Sequence, residues 1–352
     1  LSMQVNYRIQ SSGLDKLGIV SLPTINYDPD AYKYVYFFYD TNTNAFSAIG
    51  TSGAYDADGN GDVNAWDVVY VFYKELENIL VQSGYVVSWV DCAEIKTIVS
   101  SRTDVVIVIG NGVLPYTIYY PSQGNYLIRD FIREGGRLVW AGDWIGYFGM
   151  DENGNKYIVG ISGDEKVLGS NILDGNPLAR YGGWISPNEE NKVYENNTEL
   201  GELLGIDDVI FYRPVCLEYY ERNEGGDYIL LRLFNRTAYD LSDGRPFGQY
   251  SFGYGWFKFG EGWALIYPYG YNGYSAKTVA YRIARAFLVM PRCRNTFSYE
   301  YYNPEYVKGD QFYIDIWEDT VMPEEETDES GTNGWGENFA DISEFSCSYG
   351  TS

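Results

Sequence analysis

The pattern of apolar and polar positions changes rhythm along the chain. At the start, "MQVNYRIQ" alternates Met3, Val5, Tyr7 and Ile9 with Gln4, Asn6, Arg8 and Gln10, the period-two signal of a half-buried strand. "LGIVSL" follows before Pro23, so residues 1–30 read as a strand-bearing arm, able to pair with its own sheet or with a neighbour's. From Lys33 onward, short apolar runs alternate with helical patterns. "YKYVYFFYD" (32–40), "VVSWV" (86–90), "DVVIVIG" (104–110) and "RLVWAGD" (137–143) are predicted strands. The third is apolar almost throughout, which points to burial on both faces. A helix is predicted over 65–83, with Val69, Phe72, Tyr73, Leu76, Ile79 and Leu80 on one face and Gly84 as its stop. A shorter helix is expected near 93–100, and another in "NYLIRDFIREGG" with Leu127, Ile128, Phe131 and Ile132 inward.

The middle, about 151–255, is rich in Gly, Asn, Tyr and turn signals, with strand-like pieces "DDVIFY" and "DYILLRLF". "DENGN" (151–155) reads as a hairpin turn. "GEGWALIYPYG" (260–270) is a further core strand, and "SAKTVAYRIARAFLVM" a helix capped by Ser275 with Val279, Ile283, Ala286 and Phe287 inward. Strands alternating with helices predict an α/β fold: a mainly parallel, doubly wound sheet with right-handed crossovers, carrying β-rich additions and terminal strands. The expected organisation is an arm over 1–30, an α/β domain over 31–290 with a β-rich insertion at about 151–255, and an acidic extension over 291–352. That extension holds an alternating strand, "QFYIDIWED", and then "MPEEETDESGTNGWGEN", whose composition alone is that of disorder. Cys347, Trp335 and Phe339, or cations, or a neighbouring subunit, are the means available to order it.

Composition narrows the chemistry. The 352 residues carry 25 Lys+Arg against 49 Asp+Glu, a formal charge of -24, which repels nucleic acid and anionic membranes and favours cations. The sequence has no His, so Ser-His-Asp triads, Cys-His dyads and His metal clusters are excluded. Cys92, Cys216, Cys293 and Cys347 have no C-x-x-C spacing; they allow four buried thiols or two disulfides in three connectivities. Sequons at Asn196 and Asn235 offer glycosylation sites, and the acidity and Tyr richness accompany them toward an extracellular, disulfide-permissive setting. No apolar run is long enough to span a membrane. A first residue that is Leu, with no leader pattern, reads as a processed chain.

The most specific motif is "YDADGNGDVNAWD" (55–67). Counting from Asp56, oxygen side chains fall at Asp56, Asp58, Asn60, Asn64 and Asp67, with Asp62 where the backbone carbonyl serves, Gly61 sixth at the sharp turn and Val63 eighth as an apolar anchor. The stretch resembles a dockerin-type EF-hand loop, which ends in Asp and runs into a helix. The resemblance implies Ca²⁺ ligation by Asp56, Asp58, Asn60, Asp62, Asn64 and Asp67. A dockerin has two such loops and this chain has one, which argues against a cohesin-type partner.

The order "LIRDFIREGGRLVWAGD", with the flanking strands and helices, resembles the class I glutamine amidotransferase-like superfamily and its flavodoxin-like sheet. Active members carry a nucleophilic Cys at the elbow after the corresponding strand; here the elbow reads Ala141-Gly142-Asp143-Trp144. The resemblance therefore implies a scaffold without that triad. The leading expectation is a non-catalytic, calcium-stabilised extracellular protein, structural or assembling as a surface-layer or filament subunit, self-associating through terminal strands and a Tyr-rich surface. The alternative is a secreted carbohydrate-binding or carboxylate-dependent carbohydrate-active protein, with Asp143, Trp144 and neighbouring Trp140, Tyr147 and Phe148 at a sugar site.

Overall fold

Apolar runs bounded by Gly and polar stops become strands, and one-sided apolar stripes become helices. In chain order these are β1 (Tyr34–Phe38), α1 (Ala65–Gln82), β2 (Val86–Val90), α2 (Cys92–Ser101), β3 (Val106–Ile109), α3 (Leu127–Arg133) and β4 (Arg137–Ala141). A hairpin follows, β5 (Phe148–Met150) and β6 (Lys156–Ile158), then α4 (Gly163–Leu168), β7 (Ile229–Arg232), β8 (Gly255–Phe259), β9 (Gly262–Tyr267) and α5 (Ala276–Leu288). The computed structural model describes residues 30–45, 55–169, 255–267, 275–288, 290 and 292. Elsewhere it describes only the backbone of short strands at 7–8, 193–195, 209–211, 215–216, 229–232, 236–239, 246–253 and 313–314.

One seven-stranded sheet runs β7-β8-β9-β4-β3-β1-β2. Its pairings β9 with β4, β4 with β3, β3 with β1 and β1 with β2 are all parallel, and β8 and β7 extend it antiparallel. Numbered along the chain, the parallel strands stand in the order 2-1-3-4-5, a common doubly wound arrangement whose switch point lies between β1 and β3. The expected mainly parallel α/β sheet is therefore present. Part of the segment expected as an insertion belongs to it, since Ile229–Arg232 pairs with Gly255–Phe259 at its edge. Other pieces of that segment form two small antiparallel sheets, one of Val193–Glu195 with Val209–Phe211 and one centred on Pro246–Gly253. The predicted terminal strands pair with each other: Tyr7 stands opposite Ile314 and Arg8 opposite Tyr313.

Helices α1 and α5 pack together on one face of the sheet, while α2, α3 and α4 adjoin one another on the other. Every residue of β3, β4 and β9 is buried, as strands covered on both faces require. The stripe of α1 buries all six residues expected of it, and the helix stops where Ser83 Oγ donates to the Ile79 carbonyl and Gly84 takes φ +79. In α5, the Thr278 N–H donates to Ser275 Oγ at 3.1 Å, and Trp256 reaches across from β8 to donate its indole N–H to the Ala286 carbonyl at 2.7 Å.

At the switch point the Tyr73 hydroxyl donates to the Phe38 carbonyl at 2.9 Å, has the Val108 carbonyl at 3.3 Å, and accepts from the Gly110 N–H at 2.9 Å. A side chain at Gly110 would collide with the rings of Phe72 and Tyr73, so glycine here lets α1 lie directly on the strand end. No helix among the described residues is long and apolar enough to cross a membrane.

At the opposite end of the sheet, a Cβ on Gly262 would meet the carbonyl oxygens of Ile132 and Gly136 well inside contact distance. Gly262→Ala should therefore overpack the start of β9, at a cost of about 1–3 kcal/mol. Thermal melts are expected to show Tm lowered by roughly 5 °C; an unchanged Tm would contradict this packing.

Candidate metal centre

Residues 55–64 leave the sheet's carboxyl end as a loop and run into α1. The loop closes on its own carboxylates. Asp56 Oδ1 accepts from the N–H groups of Gly59 and Asn60 at 2.8 and 3.0 Å, and its Oδ2 from Gly61 at 2.9 Å. Gly59 and Gly61 take φ +76 and +94, left-handed values that glycine adopts without strain. Asp67 Oδ1 accepts from Ala57 at 2.6 Å, and its Oδ2 from Asn64 at 2.6 Å. The same residues cap the helix: Asn64 Oδ1 accepts from Trp66 at 2.7 Å, completing a capping box with Asp67 at the third helical position.

One ligating oxygen each from Asp56, Asp58 and Asp67 lies within 4.8 Å of the other two. These three carboxylates form an acidic triad that can hold a metal ion. Oxygens bound at about 2.3–2.6 Å from one ion stand at most roughly 5 Å apart, so the spacing fits. The donors are hard oxygens without nitrogen or sulfur, the set preferred by Ca²⁺, Mg²⁺ or Mn²⁺. Asp67 is only 1% exposed. Burial by itself raises its carboxyl pKa, but the N–H donors of Asn64, Ala57 and Asp58 outweigh that and hold it below the usual carboxylate range.

The other predicted ligands stand differently. Asn60 Oδ1 accepts from the Asp62 N–H at 2.8 Å, and Asn60 Nδ2 donates to Asp58 Oδ2 at 2.9 Å. The side chain of Asp62 is outside the triad and exposed, which leaves its backbone carbonyl as the available donor. Val63, expected as an anchor, is instead 60% exposed, because no described residue packs over it.

Two residues outside the spacing hold the loop to the core. Tyr39, just past β1, donates its hydroxyl to Asp58 Oδ2. Trp66, 2% exposed, donates its indole N–H to the Thr43 carbonyl at 2.7 Å, and its ring packs edge-on against Tyr39 at 4.9 Å and Phe38 at 5.9 Å. Loop spacing could not reveal them. The only local hint was the odd aromatic ending of "YKYVYFFYD".

The remaining candidates are not gathered there. Asp143, at the end of β4, is 3% exposed and accepts from the Trp144 N–H at 2.7 Å. Trp140, Trp144 and Phe148 are buried beside it and enclosed by protein, while Tyr147 is half-buried. Cys92 is a free, buried thiol instead of half a disulfide. It opens α2 beside Asp40, which accepts its N–H at 3.3 Å, and burial together with that carboxylate pushes the thiol pKa far up. The side chains of Cys216, Cys293 and Cys347, the sequon residues Asn196 and Asn235, and the acidic extension apart from residues 292 and 313–314 lie outside the described residues. "DENGN" is a hairpin turn as expected, joining β5 to β6, with Asp151 Oδ1 accepting from Asn153 and Asn155.

No protein-family model matches the chain, and no curated protein matches it.

Because the Asp67 pKa is lower folded than unfolded, its contribution to stability is full above the unfolded value of about 3.9 and is lost as pH falls through the folded one. Asp67→Asn should therefore flatten the fall of Tm with acidification below about pH 4, measured in chelator. Parallel acid limbs for the two proteins would refute this assignment.

Proposed function

We propose that the protein is an extracellular, calcium-stabilised structural subunit, non-catalytic, that associates with copies of itself into a filament or surface layer. The observation that carries this reading is the Asp56, Asp58 and Asp67 triad at the start of the first crossover helix. Its donors are hard oxygens, its twelve-position spacing with glycine sixth is that of a calcium loop, and its resemblance is to the dockerin type. An ion bound there joins the strand end to α1, so affinity for the folded state adds directly to stability. It also offsets part of a formal charge of -24.

The 2-1-3-4-5 strand order supports an amidotransferase-like scaffold. Two features favour a non-catalytic role for it. The elbow residues Ala141-Gly142-Asp143-Trp144 offer no thiol and the chain no imidazole. At the switch point, where such sheets receive ligands, the Gly110 N–H is already bonded to Tyr73. Buried Asp143 and Trp144 lend no comparable support to a sugar-binding role.

For assembly, the support is the antiparallel pairing of the two terminal strands. The same pairing made between neighbouring copies would exchange the arm and link subunits without new contacts being invented.

Calcium at about 100 times its Kd should stabilise the fold by about 2.7 kcal/mol, raising Tm by roughly 5 °C over a sample in chelator. Equal melting curves in calcium and in chelator would remove the calcium reading. For assembly, light scattering of the full chain in calcium is expected to give multimers, and deletion of residues 1–10 to give monomers. A full-length chain that stays monomeric overturns the assembly reading alone.

A further inference from the structure

We infer that Tyr39 is a positioning residue of the metal centre, holding Asp58 in ligating geometry and coupling occupancy of the loop to the end of strand β1. The inference rests on the calcium reading above. It starts from a contact that the loop's own spacing does not contain: the Tyr39 hydroxyl donates to Asp58 Oδ2 from 19 residues away in the chain.

The phenol is itself held in place. The Tyr39 N–H donates to the Val90 carbonyl at 2.9 Å, which pins its backbone between β1 and β2. Its ring lies against Trp66 at 4.9 Å, Trp89 at 5.1 Å and Tyr70 at 6.1 Å, in edge or tilted contacts. With the ring held by these contacts, the hydroxyl meets Asp58 in the loop.

Asp58 needs such a partner. A carboxylate offers about four lone-pair sites. On Asp58, Oδ2 accepts from the Tyr39 hydroxyl and from Asn60 Nδ2, while Oδ1 accepts one N–H bond, from Asn60 at 3.1 Å. Oδ1 therefore keeps a lone pair for a cation, and Tyr39 and Asn60 together set the plane in which it points. Without the phenol, the remaining bonds to the Asp58 carboxylate among the described residues come from Asn60, two residues along the same turn. Outer partners of metal-ligating carboxylates orient them in this way, and losing one typically weakens binding about 10–100-fold. Ion binding thus draws the loop toward Tyr39, and through Tyr39 toward the aromatic cluster between α1 and β2.

The test is a calorimetric titration of the full chain with Ca²⁺ after stripping with chelator, run on the natural protein, Tyr39→Phe and Tyr73→Phe. Phe at position 39 keeps the ring contacts and removes only the donor. Tyr73→Phe removes a neighbouring hydroxyl that bonds strand carbonyls and does not touch Asp58. Tyr39→Phe is expected to weaken Ca²⁺ affinity about 10-fold or more, with a metal-free Tm within about 2 °C of the natural protein. Tyr73→Phe is expected to do the reverse, lowering the metal-free Tm while leaving affinity within about twofold. Equal affinities for Tyr39→Phe and the natural protein would overturn the inference while leaving the calcium reading intact. So would a loss of affinity shared by both variants, since that reports general loosening. No binding by the natural protein would sink the calcium reading itself, and the inference with it.

Discussion

One phenol ties the first crossover helix to the ends of two strands. Tyr73, in the middle of α1, lies where β1 and β3 run side by side, and its hydroxyl bonds the ends of both strands. Doubly wound sheets separate their crossovers at this place and leave a crevice there. In this chain the crevice is met from below by an aromatic side chain, and the strand end at Gly110 is bare so that the ring can approach. The Gly110 N–H at this strand end is bonded within the protein's own core. Burial raises the phenol's pKa far above its ordinary value, so it is a neutral donor at neutral pH.

The same helix begins in the acidic loop, and so the switch point and the metal centre are two ends of one element. Asn64 and Asp67 cap α1, Trp66 anchors its first turn to Thr43, and Tyr73 anchors its middle to the sheet. Tyr39 stands between them, touching Trp66, Tyr70 and Tyr73 with its ring and Asp58 with its hydroxyl. The loop is exposed or half-buried, but its closing carboxylate is buried, so the helix fixes the site together with the loop's own turn and Tyr39.

Much of this was legible in the sequence, for identifiable reasons. Strand β2 and the stripe of α1 were read correctly because a short apolar run and a period of 3.6 are local properties. Gly84 marked a stop because only a left-handed residue closes that turn without strain. The triad was legible because a loop wrapped round an ion fixes the ligand spacing. What was not legible were the partners across space. Periodicity could not say that Ile229–Arg232 would join the main sheet, nor that the two terminal strands would find each other. Asp143 looked like a ligand position because it ends a strand. Its burial is set by what surrounds it, including buried Trp140, whose indole N–H donates to the Asp143 carbonyl. Val63 failed for a related reason, since an apolar side chain anchors a loop only where something lies over it.

The double use of Asp67 also bears on the order in which the chain folds. Starting a helix is the costly step, because a full turn must be fixed before its first internal bond rewards it. Here that turn is templated by the loop: Asp67 gathers the N–H groups of Ala57, Asp58 and Asn64, all within ten residues of it. An ion held by the same carboxylate would stabilise the template further. The β1-α1-β2 unit, built from near neighbours in the chain, should then form first. The later strands would add to an edge that already exists, which places the loop at the beginning of the folding pathway as well as at the beginning of the helix.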